Sequence, residues 1–192
     1  MTTRPILFAL VLLALSAFSR IGSANPVQSR DHLTPQEVDL VKDAQVLDQR
    51  IDVFVKAADL RLLALTGVQS GSTKQLKKDA EQWGELPNGS RAELVSDIAK
   101  IFDEAITNID DVSSHDEKNP LIPKALRTLA AEATRVFDQL RPLREKAQSD
   151  AEVASFEQLS ENAESILAAA KKLPAPVEKK SKGKSDKPQG KN

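Results

Sequence analysis

Apolar residues recur at Leu40, Ala44, Leu47, Ile51, Phe54, Ala58 and Leu65, in steps of three and four broken only at Arg61. A period near 3.5 predicts a helix with one core-facing stripe, which Val41, Val55 and Leu62 widen on one side. Its start is marked by Thr34-Pro35-Gln36-Glu37: a good N-cap, a proline in the first turn, and a glutamate placed to reach back and close a capping box. Gly67 ends it. One unbroken helix over residues 35–66 would be roughly 45–50 Å long at about 1.5 Å per residue. Its outer face carries Asp48, Asp52, Lys56 and Asp59. Arg61 is the one candidate for a buried or interfacial charge, and its stem is expected to pack while its head reaches water.

The same spacing returns three more times. After a turn over residues 67–72, a short helix is predicted over 73–83, with Leu76, Ala80 and Trp83 on one face and Gly84 as its stop. Ser90 and Glu93 form a second capping box ahead of a helix over 91–112, whose stripe is Val95, Ile98, Phe102, Ala105, Ile109 and Val112. Its other face is acidic, with Glu93, Asp97, Asp103, Glu104, Asp110 and Asp111. A polar loop, SSHDEKNP, leads to a helix over 121–146 with Ile122, Leu126, Leu129, Ala133, Val136, Leu140 and Leu143. Pro142 falls inside that run and predicts a kink or brief break. The outer face is basic, with Lys124, Arg127, Arg135, Arg141 and Arg144, so this helix is expected beside the acidic one. Ser149, Asp150 and Glu152 open a last helix with Phe156, Leu159, Ala163, Ile166, Ala170 and Leu173, stopped by Pro174 and Pro176. The fold class is therefore all-α: an antiparallel four-helix bundle with an extra short helix between the first and second long helices.

Composition supports helices over sheet. Aromatics are 4%, Tyr is absent, and Gly numbers only 7 in 192 residues, where a sheet protein would use more of each. At the N-terminus, Arg4 precedes the apolar run Ile6–Phe18, too short to span a bilayer comfortably, followed by Gly22 and Ala24 at the −3 and −1 positions of a cut after Ala24. Residues 1–24 are expected to be a cleaved export signal, 25–33 a flexible N-terminus, 34–174 the bundle, and 175–192 a disordered Lys-rich tail. The chain has no Cys, which removes thiol catalysis, iron–sulfur clusters and cysteine zinc sites. The formal charge of −1 hides a division: the signal carries +2, and residues 171–192 carry eight Lys against Glu178 and Asp186, a net +6, leaving −9 for residues 25–170. An acidic body repels nucleic acid, so none is expected as a partner.

Candidate chemistry is sparse. His32 and His115 have no second histidine at helical spacing, so no two-histidine zinc pair forms. Asp110, Asp111, His115, Asp116 and Glu117 are the densest set of potential oxygen ligands, without the residue order of a calcium loop. Ser113, Ser114 and His115 are neighbours with no third group to hold a base. Glycine-rich phosphate-binding motifs are missing, and the many carboxylates fall on outer faces, where they are expected only to solubilise. No catalytic, cofactor-binding or metal-binding residue is assigned, and no cofactor is expected.

Leu33-Thr34-Pro35-Gln36-Glu37 resembles the L-T-x-x-Q motif of small periplasmic helical chaperones and stress sensors, with the Gln one position early and no second copy. Asp48-Gln49-Arg50, Phe54-Val55-Lys56-Ala57-Ala58 and Arg61-Leu62-Leu63-Ala64-Leu65 are similar to exported helical proteins of bacteria whose function is not known. That resemblance covers the first long helix and implies export and helicity, with no activity or site. The expectation is a non-enzymatic, periplasmic or secreted bundle working by protein contact or as an envelope component. The alternatives are a module held to anionic lipid or cell-wall polymer by the Lys-rich tail, and a weak cation- or small-ligand-binding or chaperone-like bundle. The long first helix and its narrow seam leave dimerisation open.

Overall fold

Each helix start that the sequence marks with a capping residue is a helix start in the computed structural model, which describes residues 30–67 and 80–174. Helix α1 spans Pro35–Asp43, and α2 spans Leu47–Thr66. Helix α3 runs Arg91–His115, α4 Leu121–Arg144 and α5 Asp150–Lys171. Both capping boxes form: Thr34 and Ser90 each accept from the backbone three residues on, and Glu37 and Glu93 bond back. Ser149 caps α5 by accepting from the Glu152 N–H. Gly67 ends α2 in the left-handed conformation at φ 66°, where a side chain would be strained.

The largest departure lies in the first predicted helix, which is two. It breaks over residues 44–46, with Ala44 at φ −76°, ψ 88° and Val46 extended at φ −103°, ψ 137°. The other departures are smaller. Helix α3 runs one turn further than expected, so Ser113, Ser114 and His115 are helical rather than in a loop. Helix α4 passes through Pro142 uninterrupted and stops two residues later, so the proline sits in the last turn. Of the short helix expected over 73–83, residues 80–83 are helical and Trp83 is buried, while 68–79 lie outside the described residues. The expected export signal and the Lys-rich tail also lie outside them.

Helices α2, α3, α4 and α5 form a four-helix bundle, and no strand occurs among the described residues. Around the ring, α2 packs on α3 and α4, and α5 packs on the same two; α3 and α4 meet more lightly across the diagonal. Cross-helix contacts fix the directions. Arg50, near the start of α2, donates to Asn108, near the end of α3, at 3.0 Å, so these run antiparallel. Arg127, early in α4, donates to the Pro174 carbonyl just past α5 at 2.6 Å, so these do too. Asp48 pairs with Lys124, and Asp59 with Arg135, each eleven residues further along its helix, so α2 and α4 run parallel in register. Arg91 with Glu152, and Asn162 with the Ala99 carbonyl, place α3 and α5 parallel. Consecutive long helices are therefore antiparallel as expected, while two of the four lateral seams are parallel.

The predicted stripes meet in one core. Ile51, Phe54, Ala58, Val95, Ile98, Phe102, Leu129, Val136, Phe156, Leu159 and Ile166 are buried together. Burying apolar side chains contributes about 1.5–3 kcal/mol for each large one, which a four-sided bundle collects from all its helices. Packing starts before α1, since Leu33 is already in the core. Phe102 is fully buried in this cluster, whereas Val153 is 40% exposed on α5. Phe102→Ala is expected to lower stability by about 3–5 kcal/mol in urea denaturation, and Val153→Ala by less than about 0.5 kcal/mol.

Candidate functional site

The break at 44–46 turns α1 back along α2. In one straight helix, Glu37 and Arg61 would stand about 36 Å apart, at about 1.5 Å per residue. Instead they form a bidentate ion pair: Arg61 Nη2 donates to Glu37 Oε2 at 2.7 Å, and Nη1 donates to Oε1. Both are sealed from solvent, Glu37 at 0% and Arg61 at 1% exposure. The expected snorkelling of Arg61 is thus overturned, because α1 covers the strip of α2 along which its head would have escaped. Nη1 also donates to the Ala57 carbonyl at 3.0 Å and Nη2 to the His32 carbonyl at 2.7 Å. Its Nε is left without a partner among the described residues.

Glu37 performs two tasks. Its Oε2 accepts the Thr34 N–H at 2.7 Å as part of the capping box, and the same carboxylate holds Arg61. Around it, His32 Nε2 lies 2.8 Å from Glu104 Oε2 on α3. The backbone at Gly84 passes so close to α1 that a Cβ there would collide with the Gln36 amide, and φ of 78° suits glycine as well. The buried pair, the histidine contact and the glycine passage therefore hold the arm of residues 32–43 down, together with the packing of Leu33, Val38 and Val41 on the core.

A second charged cluster occupies the parallel α2–α4 seam. Lys124 meets Asp48 at 2.5 Å, and this hydrogen bond holds the Asp48 carboxyl below its usual range while raising the lysine. Further along, one guanidinium, that of Arg135, contacts both Asp59 and Glu132. Glu132 is only 5% exposed, and burial pushes its carboxyl up to about 7. Removal from water disfavours the charged form of the carboxyl, and this desolvation sets the direction of the shift. The basic face of α4 thus meets the acidic face of α2, not that of α3 as the charge pattern suggested. Nor do all carboxylates lie on outer faces: Glu37, Asp97 and Glu132 are buried.

The other residues singled out in the sequence are spread along the α3 end. His115 Nδ1 lies 2.7 Å from the Asp111 carbonyl and 3.2 Å from Ser114 Oγ, all exposed at the last turn. No group of three or more His, Asp or Glu side chains is placed to hold a metal ion among the described residues. A groove that sequence reasoning did not foresee opens where α4 ends and α5 begins. It encloses about 370 Å³ between Phe137, Leu140, Phe156 and Leu159, with Arg141, Arg144 and Glu145 at the rim. That volume is at the lower end of small-ligand pockets, about 300–1,000 Å³. The Arg144 guanidinium lies 5.6 Å from the centre of the Phe137 ring.

These features define an all-α bundle with an arm clasped by a buried ion pair and a groove between two helix ends. Comparison of the chain with family models, with curated proteins and with solved structures gives no match.

Two measurements check the charged clusters. Arg61→Met strands the Glu37 carboxylate in the core and is expected to cost about 3–5 kcal/mol in chemical denaturation; adding Glu37→Gln, which retains the cap, is expected to recover most of it. The folded state holds the Glu132 proton more tightly than the unfolded chain, whose carboxyl titrates near the ordinary 4.5. Its stabilising contribution is therefore complete below that value and declines as pH rises towards about 7. Glu132→Gln is expected to flatten this part of the stability–pH profile, followed by urea midpoints across the same window.

Proposed function

We propose that this chain is an exported helical-bundle protein that acts by binding another protein through the groove between α4 and α5. One observation carries the reading. The groove joins an apolar floor (Phe137, Leu140, Phe156, Leu159) to a rim with two arginines and one glutamate, the composition of a protein-binding depression rather than a solvated face. Elsewhere two buried carboxylates are held in ion pairs, Glu37 with Arg61 and Glu132 with Arg135. Export is supported by the apolar run Ile6–Phe18 and the small residues Gly22 and Ala24. No helix among the described residues is long and apolar enough to cross a membrane.

A second reading draws on how the bundle ends. Arg127 holds the Pro174 carbonyl, so the segment carrying most of the Lys-rich charge departs from an anchored point, suited to contact with anionic lipid or cell-wall polymer. Crosslinking in the native envelope followed by mass spectrometry separates the two. Crosslinks to a protein that concentrate on α4 and α5, and fall several-fold with Arg144→Glu, are expected from the groove. Salt-sensitive retention in envelope fractions that vanishes when 175–192 are deleted would favour the tail instead. Substrate turnover by the purified protein would contradict both.

A further inference from the structure

The break between α1 and α2 has no local cause. Asp43-Ala44-Gln45-Val46 contains neither glycine nor proline, and Val46 begins α2 with no side-chain cap. Ala44 ends α1, where glycine is the usual choice. Ala44 and Leu47, on either side of the break, are both buried, and the apolar repeat keeps its spacing through it. Val46 itself is 41% exposed. Two side chains cover carbonyls that the break leaves open: Arg50 Nε donates to the Ala44 carbonyl at 3.1 Å, and Gln45 Nε2 to the Lys42 carbonyl at 2.6 Å. A straight helix would satisfy the same carbonyls with its own backbone.

What prevents a straight helix is therefore tertiary. Straightening would carry Glu37 some 36 Å from Arg61, at about 1.5 Å per residue, and strand a buried arginine. Leu33 of the arm lies in the core and Val38 and Val41 pack against it, while within α1 itself Glu37 is the buried residue. The clasp thus joins apolar packing to one specific polar contact, and a second copy of the chain offers identical surfaces for both.

We propose that residues 32–43 act as an exchangeable arm: with the 44–46 hinge straightened, two copies form a reciprocal dimer in which Glu37 of each chain pairs with Arg61 of the other. Every contact of the closed arm is reproduced between chains, including those of His32 with Glu104 and of Gln36 beside Gly84. The balance between closed monomer and exchanged dimer is then set by the hinge and by concentration, as in other exchanges of identical elements about a two-fold axis. The straight α1–α2 rod adds a hydrogen-bonded turn at the hinge, which favours the dimer.

The test uses the full chain refolded at high concentration, with mass measured by light scattering after size separation. Wild type is expected to yield a dimer that persists on dilution and converts slowly to monomer. Val46→Asp supplies the missing N-cap and holds the break, so its dimer is expected to be roughly tenfold weaker. Glu37→Arg and Arg61→Glu chains each bury like charges alone. Refolded together they are expected to pair one-to-one, because both sites of the exchanged dimer then hold opposite charges. Wild type that stays monomeric at every concentration overturns the proposal. So does a dimer that Val46→Asp forms equally well, which would mark side-by-side association.

Discussion

A single ion pair decides the path of the chain over residues 30–67. Burying a charge costs several kcal/mol unless a partner and hydrogen bonds offset it, and Arg61 is buried almost completely. Its partner comes from twenty-four residues earlier in the chain, which is possible only because the helix breaks and doubles back. The pair is therefore weak evidence for stability and strong evidence for specificity. A leucine at position 61 would pack against α1 in several registers; a bidentate arginine accepts one.

The same logic orders the rest of the bundle. Apolar stripes bring α2, α3, α4 and α5 together but do not say which helix lies beside which. The charged seam does: Asp48 with Lys124 and Asp59 with Arg135 align α2 and α4 in parallel register. Exposed pairs of this kind contribute little energy singly, and their value here is in selecting one arrangement among several that bury similar area. Glu132 sits at the point where that seam meets the core, which is why its carboxyl is displaced towards neutrality.

Local features were readable in the sequence because their causes are local. Thr34 with Glu37, Ser90 with Glu93, Ser149 with Glu152, and Gly67 each mark a helix end within four residues, and each does so in the structure. The four stripes were legible for the same reason. What escaped was set by distant residues. Nothing at 44–46 announces a break, and Glu37 looks like an ordinary capping glutamate until Arg61 is seen beside it. Glu132 stands outside the apolar stripe of its helix, and only packing within the bundle makes that position buried. Helix-by-helix charge pointed α4 towards α3, because an acidic outer face occurs on both α2 and α3 and periodicity cannot choose between them. The groove was invisible because its walls come from two helix ends, and in sequence they read as ordinary core. Arg61 was the one useful hint, a charge standing where the repeat calls for an apolar residue.

The account rests on α1 lying back against α2, and the chain's lack of cysteine makes that directly measurable. Spin labels at Asp39→Cys and Ala64→Cys, both exposed positions, report the arm by pulsed dipolar spectroscopy on the monomer. A folded-back arm gives a single short distance, well inside the roughly 37 Å of a straight helix. A monomer whose labels cluster near that longer distance would contradict the ion pair as the constraint that shapes this fold.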